Sequence, residues 1–234
     1  DSLNSAVLGP DVERESETYD MFLRELVKDM TQKTGQKCTA TRRVFVPAEI
    51  ADDFTDALVS DLDRIHIGDP FTDGVRMGPV VNARQRDDIM AGLERFSAAT
   101  TTARGAGRPG TVAGVEGDGG YFIDAHVLRT ADPAASVAAD VVHDEEIFGP
   151  VTTILPYDGS VEQAGALVAR GRGSLVASVY SDDRQFMRDL VLELAPPAVN
   201  DVPRCLLRKR SLHHHIAFIL RASQAVSLSV THGI

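Results

Sequence analysis

Apolar residues recur along the chain with two different periods, and the changes of period mark out its elements. Tyr19, Phe22, Leu23, Leu26, Val27 and Met30 repeat at three- and four-residue steps, which predicts a helix over 17–30. Ser16 is its expected N-cap, and Thr34-Gly35 its stop. A short β-prone run, Val44-Phe45-Val46, follows and closes at Pro47. Ile50, Phe54, Leu58, Leu62 and Ile65 predict a second helix over 48–65. Asn82 with Gln85 has the form of a capping box that opens a third, through Ile89, Leu93 and Phe96.

Between Gly105 and Gly120 glycine is dense enough to predict a loop. Beyond it, strands are expected over 121–128, 151–155 and 175–180. Ser160 with Gln163 predicts one intervening helix, and Asp182 the cap of another, through Phe186, Leu190 and Leu194. Strands alternating with helices predict an α/β layer with substantial parallel pairing. No internal repeat is visible.

A charged share of 25% and a hydrophobic share of 43% are those of an ordinary soluble globular chain, and 234 residues can bury a sizeable core. The net charge of −10 argues against a nucleic-acid partner, which would need clustered Lys and Arg. No apolar run suffices to cross a bilayer, no basic-then-apolar leader opens the chain, and two cysteines make no disulfide framework. A cytoplasmic, reducing setting is the expectation. The chain begins without Met, which suggests a fragment. All 34 acidic residues precede Arg204, so 204–234 reads as a separate basic tail after a body over 1–203.

Cys38 is the first chemical candidate. A thiol attacks as thiolate and needs exposure and positive surroundings; a turn after Gly35, with Lys37, Arg42 and Arg43 close in sequence, offers both. The competing reading is a small buried hydrophobe, since no His base stands beside it. Glu145-Glu146-Ile147-Phe148-Gly149-Pro150 is the second candidate. A carboxylate there can accept from a ribose diol and an aromatic can wall a ring, although the run is equally an acidic loop before a strand. Gly105-Ala106-Gly107-Arg108-Pro109-Gly110 spells a dinucleotide fingerprint but is expected to follow no strand and open no helix. Consecutive His213, His214 and His215 cannot easily converge on one ion, so no metal site is expected there. His143 and Glu146 read as a surface pair, and Cys205 has no supporting context.

Together these stretches resemble the aldehyde dehydrogenase superfamily. Gly35-Gln36-Lys37-Cys38 is similar to its nucleophile signature, Ile67-Gly68-Asp69-Pro70 with Met77-Gly78-Pro79 and Gln85 to its next stretch, and Gly120-Tyr121-Phe122-Ile123 to the strand after its glycine loop. Glu145 to Pro150 and Gly173-Ser174-Leu175 to Val179 complete the order. The resemblance covers about 1–200. Within the superfamily, Asp1-Ser2-Leu3-Asn4, Val7-Leu8-Gly9, Met30-Thr31, Cys38-Thr39-Ala40 and Arg42-Arg43 resemble the bifunctional enzymes of phenylacetate breakdown. The dehydrogenase half of those enzymes oxidises a ring-opened CoA-thioester semialdehyde, while a hydratase-like half opens the ring.

The resemblance implies an aldehyde-dehydrogenase-type catalytic domain, three-layered with a mostly parallel sheet and truncated. It implies Cys38 as nucleophile, a thiohemiacetal and then a thioester, hydride transfer to NAD or NADP, Glu146 at the nicotinamide-side ribose with Phe148 beside it, and the Cys38 N–H in the oxyanion hole. It implies a small aldehyde as substrate and a homo-oligomer in the full-length protein. The family's general-base Glu, Rossmann domain and oxyanion-hole Asn are expected upstream of Asp1. The acid-free end departs from the family and reads as a changed frame or a chimeric terminus. Little turnover is therefore expected from this chain alone. A non-catalytic assembly piece and a cofactor-independent cysteine esterase are the alternatives.

Overall fold

The computed structural model describes residues 2–172 and 174–194, together with the backbone of 215–220 and 226–229. Its elements alternate much as the periodicity predicts. β1 (Ser5–Leu8), α1 (Glu17–Thr31), β2 (Arg43–Pro47) and α2 (Ala51–Asp63) come first. A small parallel pair follows, β3 (His66–Ile67) and β4 (Val75–Met77), then α3 (Ala83–Phe96), β5 (Thr101–Arg104) and β6 (His126–Arg129). Next come α4 (Pro133–Ala138), α5 (Asp140–Asp144), β7 (Val151–Tyr157), α6 (Val161–Ala169), β8 (Val176–Tyr180) and α7 (Arg184–Leu194). Strands β9 (His215–Leu220) and β10 (Val226–Ser229) lie within the basic tail.

One sheet collects most of the strands, in the order β10-β9-β8-β1-β2-β7-β6-β5. Its middle, from β8 through β1, β2 and β7 to β6, is parallel, while β5, β9 and β10 pair antiparallel at the two edges. Side chains alternate across it, as strand geometry requires. Ala6, Leu8, Val44, Val46 and Ile154 face α1 and α2, through Phe22, Leu26, Phe54 and Leu58. Val7, Phe45, Leu155 and Val179 face the opposite layer, which α3, α5, α6 and α7 build with Ile89, Val142, Leu167 and Leu190. The result is the expected three-layer α/β fold.

Several boundaries differ from expectation, each for a local reason. Residues 48–50 form a short 3-10 turn before α2, and that helix ends at Asp63. The strand expected over 121–128 is regular only from His126, because the segment before it bonds to loops: Tyr121 accepts from the Val80 N–H (3.0 Å) and the Asp124 N–H donates to Gly107 (2.7 Å). Asn82 caps α3 by accepting from the Gln85 N–H (2.9 Å), but the Gln85 side chain turns to Gln36 instead of closing the capping box. At α7 the cap is Asp183, which accepts from the Gln185 N–H at 2.7 Å, whereas Asp182 receives the Thr18 hydroxyl at 2.5 Å. The glycine-rich GxGxxG run does follow a strand, β5, but an antiparallel edge one, and it opens no helix. His213, His214 and Cys205 lie outside the described residues.

Candidate active site

Cys38 is exposed on a turn with an unusual approach. α1 stops at Thr31, earlier than the glycine would suggest, and Lys33 (φ 52°), Thr34 (φ 54°) and Gly35 (φ 69°) are all left-handed. That conformation is an outlier for a β-branched residue. The Thr34 hydroxyl stays fixed by donating to Gly78 (2.9 Å) and sharing Pro79 (3.2 Å). Gly35 packs so closely on the Gly149 carbonyl that a Cβ would collide with it. The Ala40 N–H then bonds the Lys37 carbonyl (3.2 Å), closing a β-turn with Cys38 at its first corner.

Three side chains fasten this turn to the rest of the molecule. Asn4, buried just before β1, donates from Nδ2 to the carbonyls of Cys38 (2.8 Å) and Ala40 (2.9 Å), while its Oδ1 accepts the Leu175 and Val176 N–H groups. Gln36 donates to Gln85 (3.0 Å) and accepts from the Val81 N–H (3.1 Å), tying the turn to the start of α3. Arg42 donates to the carbonyls of Gly35 (2.9 Å) and Gly149 (2.7 Å), lies 5.3 Å over the Phe148 ring, and pairs with Glu146 Oε1 at 3.1 Å. Arg42 thus joins the cysteine turn to the Glu146–Phe148 loop. Burial pulls its guanidinium below the usual value, opposed by the Glu146 carboxylate.

The cations near Cys38 in sequence are therefore engaged elsewhere. Lys37 pairs with Asp29 at 2.7 Å. Arg43 turns to the other side of the sheet, fully buried, where it bonds Leu3, Ser5, the last carbonyls of α6 at Leu167 and Val168, and His143 Nδ1 (3.0 Å). Burial brings Arg43 down to about 9. The expected surface pair of His143 and Glu146 does not exist. His143 is buried against Arg43 and donates from Nε2 to Ser136 (2.8 Å), and Glu146 faces the opposite way, toward Ser2 and Arg42.

Cys38, Ser2, Gln85, Glu146 and Phe148 line one open cleft of about 370 Å³. A second hollow of about 250 Å³ adjoins it, sharing Gln85, Glu146 and Phe148 and adding Asp88, Ile89 and Arg95. The three residues singled out in the sequence, Cys38, Glu146 and Phe148, are brought together. The Glu146 side chain is only 8% exposed, and Oε2 accepts the Ser2 N–H at 2.8 Å. Each oxygen keeps a second lone pair for a ligand hydroxyl. Asn4 and Arg42 were not assigned these bridging roles from the sequence. A polar residue directly before an apolar strand run was the available signal for Asn4, while nothing local marks Arg42 as a bridge.

The aldehyde dehydrogenase family profile matches residues 15–196. The chain belongs to that family. A 3,4-dehydroadipyl-CoA semialdehyde dehydrogenase of Aromatoleum evansii is 38% identical over 195 residues, covering 83% of this chain and 37% of that protein. A betaine aldehyde dehydrogenase of Brucella ovis is 35% identical over 155 residues. Among solved structures, the betaine aldehyde dehydrogenase of Staphylococcus aureus in complex with NAD+ shares the fold at a TM-score of 0.68 and 24% identity, covering 82% of this chain and 36% of its own. This aldehyde dehydrogenase chain thus spans about a third of the length of the relatives it matches, from 29% to 37%. Among the described residues no helix is long and apolar enough to cross a membrane, and no group of His, Cys, Asp and Glu could hold a metal.

Proposed function

We propose that this chain is the thiol-bearing part of an NAD(P)-dependent aldehyde dehydrogenase, with Cys38 as nucleophile and Glu146 and Phe148 on the cofactor side. One observation carries the reading: an exposed cysteine faces a carboxylate and an aromatic ring across a single cleft. The cleft fits a ribosyl nicotinamide in its chemistry, because Glu146 retains acceptor capacity and Phe148 offers a 38% exposed ring. When bound, the nicotinamide supplies the hydride acceptor.

The chain's own atoms account for the covalent steps. The Cys38 thiolate adds to the aldehyde carbon, the C=O π pair moves to oxygen, and the oxyanion lies beside the Cys38 N–H, which has no acceptor among the described residues. Loss of hydride from that adduct leaves a thioester on Cys38. Water then adds to the acyl carbon, the C–S bond breaks, and carboxylate, thiolate and protons are released. The similarity to a 3,4-dehydroadipyl-CoA semialdehyde dehydrogenase supports a substrate of that class, and that relative extends well beyond the matched 37% of its length. A polypeptide of these 234 residues alone offers few cofactor contacts and is expected to turn over poorly.

Acylation by an activated ester tests the nucleophile without any cofactor. In a Cys205→Ser background, mass spectrometry should find the acyl group on Cys38 and none in Cys38→Ala, with iodoacetamide labelling faster than that of a free thiol. Labelling at the free-thiol rate, with no acyl adduct, would remove the case.

A further inference from the structure

The mechanism above leaves Asn4 unexplained, although it is the most completely bonded side chain touching the cysteine turn. All four hydrogen-bonding positions of its amide are filled, and the pattern fixes its orientation: two carbonyls require the nitrogen, two backbone N–H groups the oxygen. Its own carbonyl also accepts the N–H groups of Arg42 (3.0 Å) and Arg43 (3.1 Å). At 1% exposure it is sealed beneath the turn, between the start of β1, the start of β8 and Cys38.

This arrangement has a consequence for the far side of the turn. In a trans peptide the C=O and the following N–H point in opposite directions, and no peptide bond here is cis. Drawing the Cys38 carbonyl inward therefore turns the Thr39 N–H outward. Cys38 and Thr39 are both exposed, and the Thr39 N–H has no acceptor among the described residues. The peptide two along behaves alike: the Ala40 carbonyl points to Asn4, and the Thr41 N–H is turned to the Asp29 carboxylate (3.2 Å).

We propose that Asn4 is a positioning residue for Cys38, holding two carbonyls inward so that the Thr39 N–H is presented on the thiol's side of the turn as a donor to negative charge on sulfur. The proposal rests on the reading of Cys38 as nucleophile. It supplies what the neighbouring cations do not, since Lys37 and Arg42 are paired and Arg43 points away. A correctly aimed backbone dipole favours the thiolate without any further charge.

Asn4→Asp is the sharpest probe, because it keeps the acceptor for Leu175 and Val176 but sets an anionic oxygen against the two carbonyls. In the full chain carrying Cys205→Ser, iodoacetamide labelling of Cys38 is followed from pH 5 to 10. Asn4→Asp should move the midpoint up by about one unit, which slows labelling about tenfold below both midpoints. Hydrogen exchange at Ala40, whose N–H closes the turn, should quicken in the same variant. Ser174→Ala, which removes a buried bond to the carbonyl of Leu3, the residue before Asn4, should lower stability yet leave both readouts unchanged. If Asn4→Asp does not fold, Asn4→Ser, too short to bridge both carbonyls, is measured in its place. An unshifted profile with unchanged exchange, or an equal shift in Ser174→Ala, overturns the proposal. A wild-type thiol no faster than a free one would sink the nucleophile reading instead, and the exchange experiment would still decide whether Asn4 fixes the turn.

Discussion

At Arg42 a single buried guanidinium donates to three carbonyls, those of Gly35, Lys37 and Gly149, and to one carboxylate. The pair with Glu146 is buried on both sides, at 5% and 8% side-chain exposure. Removing one member leaves the other charged and unpaired, which in such settings costs about 3–5 kcal/mol. Arg42→Met should therefore lower the urea midpoint strongly. The double variant Arg42→Met, Glu146→Leu should lose less than the sum of the single losses. Additive losses would show that the two charges do not depend on each other. The left-handed Lys33 gives the opposite prediction. A non-glycine residue there costs roughly 1 kcal/mol of backbone strain, and Lys33 is exposed, so Lys33→Gly should raise the melting temperature. Gly35→Ala should do the reverse, by on the order of 2 kcal/mol, since it adds strain and a collision with Gly149.

Among the elements, the C-terminal end of α6 depends on two titratable groups in contact. Burial pushes His143 down to about 4 from 6.5. Its Nδ1 accepts from Arg43 and its Nε2–H donates to Ser136, an arrangement only the neutral ring allows. The folded protein thus binds fewer protons than the unfolded chain across that window. The stability from neutral His143 is complete above about pH 6.5 and declines as the pH falls toward 4. Urea midpoints at pH 7.5 and 5 should differ less in His143→Gln than in wild type, and equal differences would rule the histidine out.

The elements also show what the sequence made legible. Periodicity located α1, α2, α3 and α7, because each presents one apolar stripe to one layer, and the Ser160–Gln163 cap marked α6. It missed β1 and β5. β1 is only four residues, buried on both faces, preceded by polar Asn4 and opening on polar Ser5, so it has no alternation to detect. β5, Thr101–Arg104, is an exposed edge whose residues read as loop. Cys38, Glu146 and Phe148 were legible because each lies in a compact local motif. Asn4 and Arg42 were not, since their partners are up to 172 residues away and only the sheet order brings them together.

Over the whole molecule, β1 decides whether there is one sheet or two. It pairs in parallel with β2 on one side and β8 on the other, and Asn4, Leu3 and Ser2 at its start bond the cysteine turn, Arg43 and Glu146. Deleting residues 1–9 should abolish cooperative thermal unfolding, followed by circular dichroism, whereas a surface truncation of similar length would not. A cooperative melt in that deletion would show that β2 and β8 can close on each other.

The place of β1 also bears on biosynthesis. Its second neighbour, β8, is encoded far downstream, and at roughly 5–20 residues per second the ribosome needs on the order of ten to thirty seconds to reach it. Throughout that delay the nascent chain carries an unpaired parallel edge made of Ser5 to Leu8. Arrested nascent chains ending before Val176 should engage holding chaperones, and release them once Tyr180 has left the exit tunnel.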